Sequence, residues 1–414
     1  MAYHPKRMKF GIFIAPFHRV GENPTLALRR DMQLIERLDD LGYDEAWIGE
    51  HHSFGREIIA DPVVFMAAAA ERTRRIKLGT GVLSLPYHHP LMVADRMVQL
   101  DHMTEGRVML GCGPGALSSD AHMMGIPSTE QRRRMGESLD AIMKLLRREE
   151  LVTMKTDWFE LRDAQLQLAS YSDPHLPVSV AASFTPAGPM AAGKHGVGLL
   201  SVAGVDNTGF ERTWGWAEEA AAESGRTISR DHWKVVVPIH VAESRKQALA
   251  EIEEGYRIRA YTGDAGNPAA AGPGLFAGAG TLQDQAERST ALIGSPDDVA
   301  QSIEIIIERS GGIGGILALA HEWAGTEATY RSFELFARHV APRFQGQLDP
   351  ILKSRDWVEG NMREVFGGTL PALAKAFTDA GKELPASIVQ QQKEREERRK
   401  ARAAANAGKQ SDGA

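Results

Sequence analysis

The chain has 414 residues, of which 43% are hydrophobic and 25% charged, as in globular proteins that bury a large core. Its formal net charge of -6 argues against nucleic acid as the main partner, and its one cysteine, Cys112, excludes both an intramolecular disulfide and a cysteine-rich zinc site. We expect a cytoplasmic protein without a membrane span, because the polar N-terminus leads into an apolar run too short for a signal peptide or a spanning helix.

Short apolar runs alternate with amphipathic segments along most of the chain, and this alternation predicts strands and helices in turn. Asp61-Pro62 and Ser295-Pro296 are typical of helix N-termini, and Gly42 is typical of a helix C-terminus. The predicted strands cover residues 10–17, 43–49, 76–85, 107–110, 177–182, 198–202, 233–241 and 311–320. The predicted helices cover residues 23–41, 61–70, 90–103, 130–146, 186–195, 210–223, 244–260, 295–309 and 328–339.

Eight strand–helix units in series predict a single α/β domain, a (β/α)8 TIM barrel with insertions. The alternative is a chain of two doubly wound halves. It is disfavoured because no linker appears near the middle of the chain. Residues 151–177 interrupt the alternation and are interpreted as an insertion. Residues 262–280 are rich in Gly, Ala and Pro without periodicity, which is typical of a lid or a disordered segment.

The chain changes character after Pro342. Residues 349–380 have a helical pattern, and residues 393–402 form a dense run of charges before a small polar tail. We therefore expect a barrel domain over residues 8–343, a helical extension over 344–392 and a charged, disordered tail over 393–414. An arm that binds nucleic acid is the less favoured interpretation of the tail.

Ionisable residues cluster where two neighbouring predicted strands end. Glu50-His51-His52 follows the second strand, and His88-His89 follows the third. In a parallel barrel these strand ends open on one face, where such folds place their chemistry. Histidine is suited to proton transfer near neutral pH, so we predict that one of these histidines is a general acid or base and that Glu50 orients it or a cofactor. A structural hydrogen-bonding cluster is the alternative.

A metal site built from Glu50, His51, His88 and His89 is disfavoured. Adjacent side chains on a strand point to opposite faces, so neighbouring histidines do not easily share one ion. The His-x-His pattern of zinc hydrolases is also absent from the first strand. We predict no metal.

Two loops have the composition of ligand-binding segments. The run Gly111 to Gly115 does not complete a dinucleotide fingerprint, and it suits close approach of the backbone to a flat ligand. Cys112 within it is expected to be a buried residue rather than a reactive thiol. Thr185-Pro186 at a helix start favours an anion site, with plain N-capping as the alternative.

Five segments in this order resemble the bacterial luciferase-like flavin monooxygenases, over about residues 8 to 343: Lys9–Phe13, Tyr43–His52, Ile76–Pro90, Leu100–Arg107 and Gly294–Val299. Within that family the chain is most similar to the limonene 1,2-monooxygenase group. The resemblance implies an oxygenase that uses reduced FMN and O2 through a C4a-hydroperoxyflavin to epoxidise or hydroxylate a small apolar substrate such as a monoterpene. FAD and F420 are alternative cofactors. The resemblance also implies a separate NAD(P)H-dependent flavin reductase and a homodimer formed through the first helices.

The resemblance also assigns roles to single residues. It makes His51 the catalytic histidine and Glu50 a carboxylate of the flavin site, and it places a non-prolyl cis peptide at Gly81-Val82. The further implied flavin-site residues are Gly113, Arg133, Thr185, Gly188 and Ser201. The expected lining of the substrate cavity is Phe17, Trp47, Phe54, Leu85, Tyr87 and Trp158.

One loop departs from the family pattern. After the fourth strand, luciferases carry a reactive cysteine followed by an arginine that binds phosphate, whereas this chain has Gly113 and Pro114. Light emission is therefore not predicted. The other interpretations left open are an F420-dependent oxidoreductase on the same barrel, a metal-dependent hydrolase and a non-catalytic flavin-binding protein.

Overall fold

The structure, a computed structural model, describes residues 2–14, 18, 20–182, 185–202, 209–259 and 281–390, together with 393, 394 and 397. The chain divides into two compact units, residues 1–346 and residues 347–414. The end of the first unit lies close to residue 343, where the barrel domain was expected to end. The predicted lid at 262–280 and nearly all of the predicted tail at 393–414 lie outside the described residues.

Eight parallel strands of the described residues close into a barrel, which confirms the predicted (β/α)8 fold. Strand β10 pairs with both β9 and β12, and β12 pairs with β1, so the sheet has no free edge between first and last strand. The barrel strands are β1 Lys9–Ile14, β2 Glu45–Ile48, β3 Lys77–Thr80, β5 Val108–Gly113, β8 Val178–Ala181, β9 Gly198–Val202, β10 Trp233–Val241 and β12 Gly315–Leu319.

Four shorter strands lie outside this ring. They are β4 Leu83–Ser84, β6 Val152–Lys155, β7 Glu160–Ala164 and β11 Leu292–Gly294. Strands β6 and β7 pair antiparallel as a separate two-stranded sheet, so the predicted insertion at 151–177 contains a hairpin. Strand β11 pairs with the C-terminal end of β10, a contact that the sequence analysis did not predict.

Helices alternate with the barrel strands. They are α1 Pro24–Leu41, α2 Pro62–Ala70, α3 Pro90–Met103, α4 Ser118–Met123, α5 Gln131–Arg147, α6 Ala187–His195, α7 Phe210–Glu223, α8 Arg245–Arg259, α9 Leu282–Glu287, α10 Pro296–Ser310 and α11 Thr326–Leu335. The predicted caps are confirmed: Asn23, Asp61 and Ser295 each accept hydrogen bonds from the first turn of their helix, and Gly42 ends α1 in the left-handed region.

Predicted boundaries were wrong in several places. The third strand ends at Thr80 rather than at 85, because the chain leaves the ladder at Gly81, re-pairs over β4 and then forms a 3-10 turn at Leu85–Tyr87. The fourth strand extends to Gly113 instead of ending at 110. The short helices α4 and α9 were missed, since six residues carry too little periodicity to predict a helix.

The second unit is helical, in agreement with the pattern over residues 349–380. Its helices are α12 Asp349–Gly360, α13 Met362–Gly367 and α14 Thr369–Asp379. No helix among the described residues is long and apolar enough to span a membrane.

The inside of the barrel is filled with side chains. Trp47 is 1% exposed and packs with the inward-facing residues of the other strands, and its indole N–H donates to Glu45 at 2.9 Å. A Cβ on Gly79 would lie 2.8 Å from the Trp47 ring, so this position needs glycine. Because the interior is packed, a ligand binds at the barrel ends rather than within.

One buried carboxylate fixes the turn between α2 and β3. Asp39 accepts backbone N–H bonds from Arg74, Arg75 and Ile76 at 2.7 to 2.9 Å. Burial raises the pKa of Asp39, but these three donors outweigh it and the pKa is lowered below its ordinary value.

We expect Asp39→Ala to lower the free energy of unfolding by about 2–3 kcal/mol at pH 7, because it leaves buried N–H groups without an acceptor. A lowered folded-state pKa stabilises the fold above the unfolded pKa, so the difference between variant and parent should shrink as the pH falls through the pKa of Asp39. Urea unfolding at neutral and acid pH measures this. The exposed neighbour variant Asp40→Ala is the control, and an equal effect of both substitutions would contradict the assignment.

Candidate active site

The loops that follow β2, β3 and β5 meet at the C-terminal ends of three neighbouring strands. Strand β3 pairs with both β2 and β5, so the polar residues after each strand lie close together. The structure thus brings together Glu50, His51 and His52 with His88, as the sequence predicted. It also adds Asp120 on α4 to the same group.

Glu50 is 2% exposed and is surrounded by hydrogen-bond partners. Its Oε1 lies 2.9 Å from His52 Nε2 and 2.6 Å from His88 Nε2, while Oε2 accepts the Ser84 backbone N–H at 2.6 Å. Burial raises the pKa of Glu50, but His52, His88 and Ser84 outweigh it and the pKa is lowered. Glu50 is therefore a fixed anion that ties the loop after β2 to the segment after β3.

His51 lies between two carboxylates. Its Nδ1 is 2.9 Å from Asp120 Oδ2, and its Nε2 is 2.8 Å from Glu57 Oε2. Burial lowers the pKa of His51, but Glu57 and Asp120 outweigh it and raise the pKa to about 10. At neutral pH His51 therefore holds both ring protons, and it can donate a proton but not accept one.

Asp120 organises the loop that carries His51. Its Oδ1 accepts the His52 backbone N–H at 3.2 Å and also the Ser53 hydroxyl. Burial raises the pKa of Asp120, but His51 and Ser53 outweigh it, so the carboxyl stays ionised. The sequence analysis missed both Asp120 and Glu57, since neither stands in a motif and Asp120 is 69 residues from His51.

Gly81, Val82 and Gly113 form a close-packed group at the same strand ends. The peptide bond between Gly81 and Val82 is cis, as the resemblance implied. A Cβ on Gly81 would lie 2.9 Å from Trp47 Cβ, and one on Gly113 would lie 2.4 Å from Val82 Cγ2. Both positions therefore need glycine, because Trp47 and Val82 already fill the space beside them.

A second group of predicted residues lies after β8 and β9. Gly188 in α6 lets the helix approach β8, because a Cβ there would lie 2.0 Å from the Ala181 carbonyl oxygen. Thr185 is half-buried just before this helix, and Ser183 and Phe184 lie outside the described residues. The Ser201 hydroxyl donates to the Ala182 carbonyl at 2.7 Å and accepts from Trp233 Nε1 at 3.0 Å, so it holds β9 to its neighbours.

The arginines at the start of α5 differ in their surroundings. Arg133 is exposed and pairs with Glu130, Glu137 and Asp157. Arg134 stacks on the face of Trp158, and its Nε is buried with no hydrogen-bond partner. The prediction that Arg133 binds phosphate stays untested, and the unpartnered donor favours Arg134 for that role.

The apolar residues expected to line a substrate cavity do not all face one. Trp47 fills the barrel interior and Leu85 is fully buried in the main core, whereas Phe54 is 40% exposed. Phe17 lies outside the described residues. Cys112 is buried on β5, as predicted, and burial raises the pKa of its thiol, which disfavours a reactive thiolate. Within the described ranges, no three His, Cys, Asp or Glu side chains are placed to hold a metal ion.

Comparison with known proteins gives consistent results. The sequence profile of the luciferase-like monooxygenases matches residues 8–312. The chain is 46% identical to 4-hydroxyprotoasukamycin monooxygenase of Streptomyces nodosus subsp. asukaensis, a match that covers 86% of this chain and 98% of the relative. It is also 46% identical to limonene 1,2-monooxygenase of Rhodococcus erythropolis, over 89% of this chain and 95% of the relative.

A solved structure of similar fold contains a flavin. It is the oxygenating constituent of 3,6-diketocamphane monooxygenase of Pseudomonas putida, a type II Baeyer-Villiger monooxygenase, in complex with FMN. The TM-score is 0.68 and the identity 26%, and the match covers 81% of this chain and 98% of the other.

The paired carboxylates around His51 give a prediction for its charge. We expect the ¹⁵N and ¹H NMR signals of the His51 ring to stay those of an imidazolium through pH 8. Asp120→Asn should lower the pKa of His51, because it removes one of the two anions beside the ring. Asp140→Asn, which alters the separate Asp140–His195 pair, is the control and should leave His51 unchanged. Titration of His51 near its ordinary value in the parent protein would contradict the arrangement.

Proposed function

The chain belongs to the luciferase-like monooxygenase family, and we propose that it is the FMN-dependent oxygenase component of a two-component system, which transfers one oxygen atom from O2 to a carbon–carbon double bond. We base this proposal on His51, a partly buried imidazolium held by two carboxylates in the loop after β2, the strand whose last residue, Ile48, accepts the Gly81 backbone N–H. We propose that the flavin ring lies over the backbone of Gly81 and Val82 and that His51 is its proton donor.

The residues present fit FMN. Gly81 and Gly113 add no side chain near the C-terminal ends of β3 and β5, which suits close approach of a flat ligand. The buried, unpartnered Nε of Arg134 suits a phosphate oxygen, and Thr185 before α6 adds a hydroxyl and the positive end of a helix. When bound in the reduced state, FMN supplies the electrons that activate O2.

The protein's own contribution is to hold and deliver a proton. His51 carries two N–H groups at neutral pH, and the anions Asp120 and Glu57 keep its ring in one orientation. Cleavage of an oxygen–oxygen bond leaves an oxygen that needs a proton, and we propose that His51 donates it. Glu50 binds His52 and His88, and so holds the surrounding loops in place.

The names of the relatives support a proposal for the substrate class. The two relatives at 46% identity are named as monooxygenases of limonene and of 4-hydroxyprotoasukamycin. We propose a small, largely apolar alkene of the limonene type, converted to an epoxide or a hydroxylated product. A hydrocarbon of this kind binds by burial of apolar surface.

The solved structure of 3,6-diketocamphane monooxygenase is named as the oxygenating constituent of that enzyme, which supports a separate source of reduced flavin for this chain. We propose a separate NAD(P)H-dependent flavin reductase as partner, a homodimer as the assembly and the cytoplasm as the location. The single buried cysteine is compatible with a reducing compartment.

The environment of the two arginines predicts a difference in flavin affinity. Arg134→Met should weaken FMN binding at least tenfold, because it removes a charged donor to the phosphate. Arg133→Met, which loses only exposed ion pairs, should change it less than threefold. Fluorescence titration of the purified variants with FMN and riboflavin checks this, since only FMN affinity should depend on Arg134. Equal losses for both flavins would contradict the phosphate role.

Loss of the proton donor should uncouple oxygen use from product formation. We expect His51→Ala to lower the rate of product formation about 100-fold, with most of the consumed O2 released as H2O2. The exposed His102→Ala is the matched control and should stay coupled. The measurement compares O2 consumed, peroxide released and product formed from limonene with photoreduced FMN. Full coupling in His51→Ala would exclude the proposed role.

A further inference from the structure

A large cavity lies at the end of the barrel where the strands begin, opposite the candidate active site. Its volume is about 810 Å³, within the range of small-molecule sites. Trp47 and Met109, which belong to the packed group inside the barrel, lie at its inner end. Its lining includes a polar residue from the N-terminal part of each of five strands: Lys9, Glu45, Lys77, Ser179 and Lys234. None of the residues assigned above to flavin or to proton transfer lines it.

Three lysines of this lining, Lys9, Lys77 and Lys234, lie on the inward face of their strands. Alternate residues of a strand face the same side, and the residues two or four positions further along each of these strands pack inside the barrel. Lys9 and Lys234 flank one glycine, because each is paired with Gly315 of β12. A Cβ on Gly315 would lie 3.1 Å from Lys234 Cδ and 3.1 Å from Lys9 Cβ, so the glycine leaves room for both lysines.

Lys234 is a buried cation with few partners. Its side chain is only 8% exposed. The ammonium group donates one long hydrogen bond, at 3.4 Å, to the Asp231 carbonyl oxygen, and Glu45 Oε1 lies 3.6 Å away, beyond hydrogen-bond distance. An ammonium group carries three N–H donors. In the part of the chain that the structure describes, Lys234 therefore keeps donors for a ligand in the cavity.

Two further polar groups of the lining have no partner. Ser179 is 7% exposed, and its hydroxyl makes no hydrogen bond among the described residues. Gly198 makes room for this hydroxyl, since a Cβ there would lie 2.6 Å from Ser179 Oγ. Lys77 is exposed at the rim and forms no ion pair within the described ranges. A buried hydroxyl and two ammonium groups with spare donors can together satisfy the oxygens of a phosphate group.

Three of the four carboxylates in the lining are held by protein donors. The pairs are Asp44 with Arg7, Glu45 with Trp47 and Asp231 with Tyr3. The lining also carries five lysine and arginine side chains, although the formal net charge of the chain is -6. The cavity is therefore a positive region on a negatively charged protein, and it favours an anionic ligand.

We infer that this cavity binds a small phosphate monoester, with the phosphate group at Lys77, Ser179 and Lys234. The lysine ammonium is a compact charge that suits phosphate. The volume leaves space for a small organic part beside the phosphate. The inference is independent of the proposed function, because the cavity lies at the other end of the barrel strands.

The test follows binding of glycerol 3-phosphate to the full-length protein without flavin, by ³¹P NMR near neutral pH. We expect a dissociation constant of about 1 mM and weaker binding of inorganic phosphate. The ¹H–¹⁵N signal of the Trp47 indole, which donates to Glu45, should shift, whereas that of the exposed Trp357 should not. Glycerol, the uncharged probe, should leave the Trp47 signal unchanged.

Four variants locate the phosphate. Lys234→Met removes the buried charge and should weaken binding of glycerol 3-phosphate at least tenfold. Lys77→Met removes an exposed charge and should weaken it about threefold. Lys144→Met, at an exposed position of α5, is the matched control and should bind as the parent does. Arg134→Met, altered at the proposed flavin phosphate site, should also keep the parent affinity, which separates the two sites.

Either of two results would overturn the inference. One is no binding of glycerol 3-phosphate by the parent protein at concentrations up to about 20 mM, which needs no variant. The other is equal affinity in the parent, Lys77→Met and Lys234→Met, or a loss confined to Arg134→Met, which would place the anion elsewhere. If Lys234→Met does not fold, the parent and the exposed Lys77→Met decide the outcome. No readout depends on turnover, so these results do not affect the proposed oxygenase.

Discussion

Charge neutralisation at the ends of β2, β3 and β5 is the interaction on which the site depends. Glu50 and Asp120 are almost fully buried, and a buried carboxylate is tolerated only when hydrogen bonds and opposite charges replace water. Glu50 meets the rings of His52 and His88 and a backbone N–H, and Asp120 meets the His51 ring and a backbone N–H. These ionisable groups therefore fix one another's position and charge. The raised pKa of His51 is a result of this arrangement and not a property of the histidine alone.

The barrel places this network at the C-terminal ends of neighbouring strands. Trp47 and the inward side chains of the other strands fill the interior, so loops at the strand ends provide the space for ligands. Glycines at 81 and 113 bring backbone close to that space, and α6 packs against β8 through Gly188. The residues of the proposed flavin site and the proposed proton donor therefore follow the C-terminal ends of the barrel strands.

The sequence predicted the strands and helices of the barrel better than the side-chain contacts of the candidate active site. Apolar runs and helix caps located all eight barrel strands, because both depend on neighbouring residues. Glu50, His51 and His88 were found because they follow predicted strands. Asp120 and Glu57 were not found, because their contact with His51 depends on how the loops fold back. The different surroundings of Arg133 and Arg134 depend on Asp157 and Trp158, more than 20 residues away, and no local pattern distinguishes them.

The most direct test of the central claim, an FMN-dependent oxygenase, is to bind photoreduced FMN to the protein without oxygen and then mix the complex with O2 in a stopped-flow spectrometer, with reduced F420 in parallel. We expect reduced FMN to bind, and its reoxidation to pass through an absorbing species that decays more slowly than free reduced FMN is oxidised. Binding of F420 without FMN, or reoxidation of bound FMN at the rate of free flavin with no such species, would contradict an oxygenase.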